Sequence, residues 1–227
     1  MKIKSLSIIL VSMLVSMKLM AAYIIVGTGT SSAYRYPYYT FFKYSTQEYI
    51  YKASEIGGAG TINGISFYVN AAKSQTATIK VYLGHTSLNS LSNQMTSGMT
   101  CVYNSSRTIG SSTGWEYLSF STPFNYNGND NLVVIVTKSC SSYDSNLTYR
   151  YTSGQSTSLY RYSDTITDYA TWNYSGGFST TTDRPNIRFD IPNDVKGLKI
   201  INTDFDFTVN NIYYKVESLN DLTCKVA

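Results

Sequence analysis

Residues 131–137 read N-L-V-V-I-V-T, and no other stretch limits the fold as strongly. Leu132, Val133, Val134, Ile135 and Val136 form an unbroken apolar run in which only Leu132 is not β-branched. So short and β-branched a run suits a strand, and its lack of alternation marks a strand buried on both faces. Successive strand side chains point to opposite sides. Leu132, Val134 and Val136 therefore face one way, Val133 and Ile135 the other, and each face needs a covering layer.

The rest of the chain supplies short strand candidates and no amphipathic helix beyond its first residues. Residues 61–70 put Ile65, Phe67 and Val69 on one face, and residues 77–83 do the same with Ile79, Val81 and Leu83. Residues 115–121 set Leu118 and Phe120 opposite Trp115, Tyr117 and Ser119. Residues 147–152, 158–162 and 186–191 complete the set, while 39–44 and 48–53 are aromatic-rich. The run Ile56-Gly57-Gly58-Ala59-Gly60 calls for a positive φ that glycine supplies. Asn127-Gly128-Asn129-Asp130, just before the apolar strand, reads as a hairpin turn. Together these predict an all-β, antiparallel β-sandwich, jelly-roll-like, with no helix–strand alternation to support a parallel sheet.

Lys2 and Lys4, an apolar core over 6–15 and small residues at Ala21 and Ala22 follow the order of a secretory signal peptide, expected as an N-terminal helix over 1–22. The apolar stretch is too short to span a bilayer, so no transmembrane span is expected in a mature chain starting near Tyr23. The formal charge of +4 comes from 18 basic and 14 acidic residues, and loss of Lys2, Lys4 and Lys18 leaves near neutrality. Nucleic-acid binding needs a basic stripe, which this balance does not supply. With 22 Tyr and a single His, the chain is suited to binding surfaces and poorly suited to acid–base catalysis.

A boundary falls near Pro192. The expected organisation is a sandwich domain over 23–192, a linker over 193–204 and a C-terminal β-hairpin fragment over 205–227. In that last segment residues 205–216 alternate around Asn210-Asn211.

Two stretches carry a family likeness. The first runs from Ala53-Ser54-Glu55-Ile56-Gly57-Gly58-Ala59-Gly60-Thr61-Ile62 through Val81-Tyr82-Leu83-Gly84-His85-Thr86 and Gly114-Trp115-Glu116. It continues through Thr122-Pro123-Phe124-Asn125-Tyr126-Asn127-Gly128 to Asn131-Leu132-Val133-Val134. In that order these motifs resemble a β-sandwich module of secreted and surface proteins of the Bacteroidetes. The second, Phe205-Asp206-Phe207-Thr208-Val209-Asn210-Asn211-Ile212-Tyr213-Tyr214-Lys215-Val216, is similar to the N-terminal capping hairpin of BspA-like leucine-rich-repeat surface proteins. Repeats follow the cap in that family and are missing here, so 205–227 reads as a truncated cap. The resemblance implies a non-catalytic interaction or adhesion module, secreted or at the cell surface. The implied partner is a host or bacterial surface protein or a glycan, with no cofactor. The alternatives are a carbohydrate-binding accessory domain and a structural spacer of a truncated leucine-rich-repeat surface protein.

Candidate chemistry is sparse. His85, the sole histidine, is expected at a strand end in a structural role, and one His supports neither a metal centre nor a catalytic triad. The carboxylates are scattered among turns with no pair that marks a glycosidase cleft. Asn/Asp-rich loops at 127–131 and 164–168 lack a calcium-loop pattern, so no metal is expected. Cys101 and Cys140 are a possible disulfide in an exported chain, which would leave Cys224 over. Exposed aromatics are the best recognition candidates, in 34–39, in Tyr160-Arg161-Tyr162 and above all at Trp172 with Tyr169 and Tyr174 in a Gly-rich polar loop.

Overall fold

A computed structural model describes residues 23–143 and 146–192, together with the backbone of 207–209 and 212–214. The expected signal helix at 1–22, the linker at 193–204 and Cys224 lie outside the described residues. In chain order the elements are β1 (Tyr23–Val26), β2 (Ser31–Ala33), β3 (Tyr44–Tyr51), the short helix α1 (Ala53–Ile56), β4 (Gly60–Ala71), β5 (Gln75–Thr86), β6 (Thr100–Ile109), β7 (Gly114–Tyr126), β8 (Asn131–Ser139), β9 (Thr148–Thr152), β10 (Ser158–Ser163), β11 (Ser179–Thr181), β12 (Arg184–Pro185) and β13 (Ile187–Asp190). A 3₁₀ turn at Thr167–Ala170 precedes β11. One sheet runs β1-β13-β4-β9-β12, with β7 also on β4 and β2 also on β9; the other runs β11-β10-β3-β8-β5-β6. The expected all-β antiparallel sandwich is thus present, and its strands pair antiparallel throughout.

The apolar run is the axis of the second sheet. β8 pairs with β3 on one side and β5 on the other. Leu132, Val134 and Val136 enter the main core between the sheets, with Ile65, Phe67 and Phe189 of the first sheet. Val133 and Ile135 enter a second cluster with Ile50, Leu91 and Leu159. The outer cover comes from loops rather than from a third sheet. Leu91, Met95 and Met99 arrive from 87–99, and Trp172 and Phe178 from the region between β10 and β11. A loop cover on this face means that two polar segments each contribute a few apolar residues to a small satellite core.

The main core is unusually rich in tyrosine. Tyr36, Tyr38, Tyr49, Tyr51 and Tyr149 are among its largest fully buried side chains. A buried phenol usually finds a partner for its hydroxyl, and of these five only Tyr38 has none. Tyr51 donates to the Pro185 carbonyl at 2.9 Å and Tyr149 to Glu116 Oε2 at 2.7 Å. Tyr36 donates to Asp183 Oδ2 at 3.0 Å, and Tyr49 to Gln47 Oε1.

Two local readings change. Residues 127–130 do not close a hairpin: β7 pairs with β4 in one sheet and β8 lies in the other, so the turn is an arch between layers. The turn chemistry itself is as expected. Asn127 Oδ1 accepts the backbone N–H groups of Asn129 and Asp130, both at 3.0 Å. Gly128 has φ +75°, and a Cβ there would sit 2.4 Å from the Ala59 nitrogen. The other change is β6, which had no strand signal. It is an edge strand whose pattern buries only Val102, Tyr103 and Ile109. An edge strand with solvent on much of its surface has little apolar periodicity to read. Beyond Pro192, β14 (Phe207–Val209) and β15 (Ile212–Tyr214) pair antiparallel, Phe207 opposite Tyr214 and Val209 opposite Ile212, as the alternation around Asn210-Asn211 suggested.

Candidate functional site

The segment 34–43, Y-R-Y-P-Y-Y-T-F-F-K, carries the chain from β2 in one sheet to β3 in the other. Tyr36 and Tyr38 point into the main core. The segment is fixed along its length. The Thr40 N–H donates to the Tyr34 carbonyl at 2.7 Å, and the Thr40 hydroxyl to the Leu147 carbonyl at 2.8 Å. Gln75 Nε2 donates to the Thr40 carbonyl at 3.2 Å, Lys138 Nζ to the Phe42 carbonyl, and the Lys43 N–H to Asp164 Oδ1 at 3.1 Å. The buried Lys138 ammonium is thereby committed to holding this turn, and burial holds its pKa below the ordinary lysine value.

With Tyr36 and Tyr38 turned inward, Tyr39 and Phe42 meet β10. The β10–β3 pairing sets Tyr162 opposite Ser45 and Tyr160 opposite Gln47. Tyr162 lies 4.1 Å from Tyr39 and 4.2 Å from Phe42 by ring centres, and parallel to Tyr160 at 6.2 Å. Phe41 continues the network to Phe42 at 5.5 Å, to Tyr34 at 5.6 Å and to Tyr143 at 5.4 Å. The outer members stay in solvent: Tyr34 and Phe41 are each 39% exposed, Tyr143 42% and Tyr162 37%. Four interlocked rings left this open on a hydrogen-bonded scaffold form a platform, and contiguous exposed apolar surface is the feature that marks interaction sites.

Arg35 closes one end of the platform. Its guanidinium carbon lies 4.9 Å from the Tyr160 ring centre and 5.9 Å from that of Tyr39. Partial burial works against its charge, but hydrogen bonding with Tyr36 and Tyr39 keeps its pKa above the ordinary arginine value. The ion pairs among the described residues are Arg107–Glu116 and Arg184–Glu55, and Arg35 is in neither.

The residues singled out from the sequence fall elsewhere. Tyr169 and Tyr174 are brought together, ring centres 5.8 Å apart, both over the buried Arg161 guanidinium. Trp172 is not a free ring on the loop surface. It is half-buried, 5.5 Å from Tyr82, and packs on the second cluster. Arg161 donates to the carbonyls of Thr171, Tyr174 and Gly176 and so holds this loop from beneath. The segments 34–39, 39–44 and Tyr160-Arg161-Tyr162 were visible as aromatic-rich, whereas Tyr143, alone among polar residues, carried no signal. Their union depends on β10 pairing with β3, a long-range contact with no local signal.

The possible Cys101–Cys140 disulfide is corrected: both are free thiols. Cys101 on β6 pairs with Tyr82 on β5, and Tyr82 with Ile135 on β8. Cys140 lies beyond the end of β8, five residues further along the chain, so the two are separated by two strand spacings, ~10 Å, and a further ~16 Å along the strand. A disulfide tolerates a Cα separation of at most ~7 Å.

The remaining polar candidates are engaged in structure. His85 sits near the end of β5, as expected. Its Nε2 accepts the Asn127 N–H at 3.1 Å while its ring stacks 17° from the plane of Tyr126. Asp164 accepts from Lys43, and Asn127 is occupied within its own turn. No group of three or more His, Cys, Asp or Glu able to hold a metal occurs among the described residues, nor does any helix long and apolar enough to cross a membrane. Neither a known family model nor a curated protein matches the chain.

Proposed function

We propose that this chain is a non-catalytic interaction module, exported to the cell surface or beyond, that engages its partner through the aromatic platform. The observation that carries the reading is the set of exposed rings at Tyr34, Phe41, Tyr143 and Tyr162, the first two on a segment anchored from both sheets and Tyr162 on β10 beside it. A preorganised surface loses little conformational entropy on binding, and rigid aromatic anchors dominate binding energy where they occur. Three carboxylates support the non-catalytic part of the reading, because they serve the scaffold. Glu116 accepts from Gly110 and Tyr149, Asp190 from Tyr117, and Glu55 pairs with Arg184. The charged and apolar start over 1–22 supports export, and the family resemblance supports a surface role.

The test is capture on arrays of surface glycans and immobilised surface proteins, comparing the full chain with a Phe41→Ser/Tyr143→Ser variant. Both rings are well exposed, so the variant should keep the parent's thermal midpoint within a few degrees and lose most of the captured signal. Equal capture by the two proteins would remove the platform from the reading. A hydrolytic rate that survives purification would overturn its non-catalytic part.

A further inference from the structure

Two properties of the platform narrow its occupant. The first is size. Tyr34, Phe41, Tyr143 and Tyr162 at 37–42% exposure offer ~100 Å² each, ~400 Å² in all. A standard protein–protein interface covers ~800 Å² on each partner, about twice as much. The second is charge. Arg35 lies over Tyr160, next to Tyr162 on the same strand face, and makes no ion pair among the described residues. A guanidinium carries five N–H donors. Tyr36 and Tyr39 engage part of that fork, and the side chain is only half-buried. An unpaired guanidinium beside open aromatic faces is complementary to a small ligand that is apolar on one face and anionic at one edge.

We propose that the platform takes a carboxylated sugar, the C–H face of its ring stacked on the open aromatics around Tyr162 and its carboxylate on Arg35. The proposal rests on the interaction reading above and names its ligand class. Tyr ring faces accept the slightly positive C–H groups of a pyranose, and a guanidinium pairs with a carboxylate in a planar, two-pronged contact. The acid could belong to a terminal sialic acid or to a uronic acid within a chain, and the test separates the two.

Isothermal titration of the full chain with sialyllactose, the methyl ester of sialyllactose, trigalacturonate and the methyl ester of trigalacturonate provides that test. At least one acidic ligand should bind ~10-fold or more tightly than its neutral counterpart, and which one identifies the source of the acid. That preference should weaken as salt rises. Arg35→Gln should reduce acidic binding to the neutral level, Arg35→Lys should keep part of the preference, and Tyr162→Ser should weaken every sugar that binds. Comparing ligands on the unaltered chain keeps the test decisive even if a variant misfolds. Equal affinity for acidic and neutral sugars, lost with Tyr162→Ser, would overturn the carboxylate assignment and leave the interaction module standing. Platform-dependent capture of a surface protein with no sugar bound would do the same. No platform-dependent binding to any sugar or protein would overturn both.

Discussion

Glu48 lies on the outer face of β3, opposite Ile135 of β8 and Leu159 of β10, inside the satellite core. It is 0% exposed; Oε2 accepts the Met95 N–H at 3.0 Å, and Oε1 has no partner. Burial pushes its carboxyl up from the usual 4.5 to about 7, against the opposing pull of the Met95 N–H and the Arg161 charge. The folded state therefore holds this proton at pH values where the unfolded chain has released it. The stabilising contribution is complete below about pH 4.5 and falls away as the pH climbs to about 7. Over that window the loss is ~3 kcal/mol, a large part of the stability of an ordinary domain. Glu48→Gln keeps the shape, keeps an acceptor for Met95 and cannot ionise. Urea unfolding of both proteins, followed by the combined fluorescence of Trp115 and Trp172, isolates this one group because the two proteins differ only at residue 48. The variant should match the parent near about pH 5 and exceed it by ~2–3 kcal/mol near about pH 8. Parallel stability curves for the two proteins from about pH 5 to 8 would refute the reasoning, as would a variant less stable at the upper end.

Three other substitutions probe the scaffold. Val134→Asp places an unpaired charge in the main core and should abolish cooperative unfolding or soluble expression; a folded, soluble variant would refute the placement of β8. Trp172→Ala should cost ~2 kcal/mol in a urea titration, because the ring packs on Tyr82 and the satellite core, and a loss of binding without a loss of stability would return Trp172 to the recognition surface. Arg184, 2% exposed and paired with Glu55 at 2.6 Å, holds that carboxyl below its usual range although partial burial pushes the other way. Arg184→Met should destabilise the chain by ~2–4 kcal/mol at neutral pH, with the difference shrinking on acidification as Glu55 takes up its proton in both proteins, and a pH-independent difference would exclude the ion pair as its source.

The strands that could be read in advance are those whose side chains report two environments. β4, β5 and β7 alternate because one face meets the core, and β8 is continuous because both do. β6 reports mostly solvent, and β1 and β2 are too short to show a period. The arch at 127–130 shows where local chemistry stops being informative. Its Asx turn and positive-φ glycine are the same whether the next strand returns to its own sheet or crosses to the other. Trp172 is half-buried, while Tyr174 of the same loop stays 37% exposed, for a related reason. A Gly-rich, polar sequence is the usual mark of a surface loop, yet this loop has a buried arginine and an apolar sheet face to lie on, and it uses both.

The 34–43 segment divides its aromatics in a way that closing the sandwich does not require. Tyr36 and Tyr38 enter the core beneath it, and Thr40 and the Lys43 N–H tie its backbone down. The ring contacts of Phe41 are to Tyr34, Phe42 and Tyr143, and that of Tyr143 is to Phe41. Serine or asparagine at those positions would leave every one of these anchors in place and remove apolar surface from water. Arg35 likewise makes no ion pair among the described residues. An interlocked set of rings that stays 37–42% exposed on a hydrogen-bonded segment, beside a guanidinium with no ion pair among the described residues, is the surface on which we propose the partner binds.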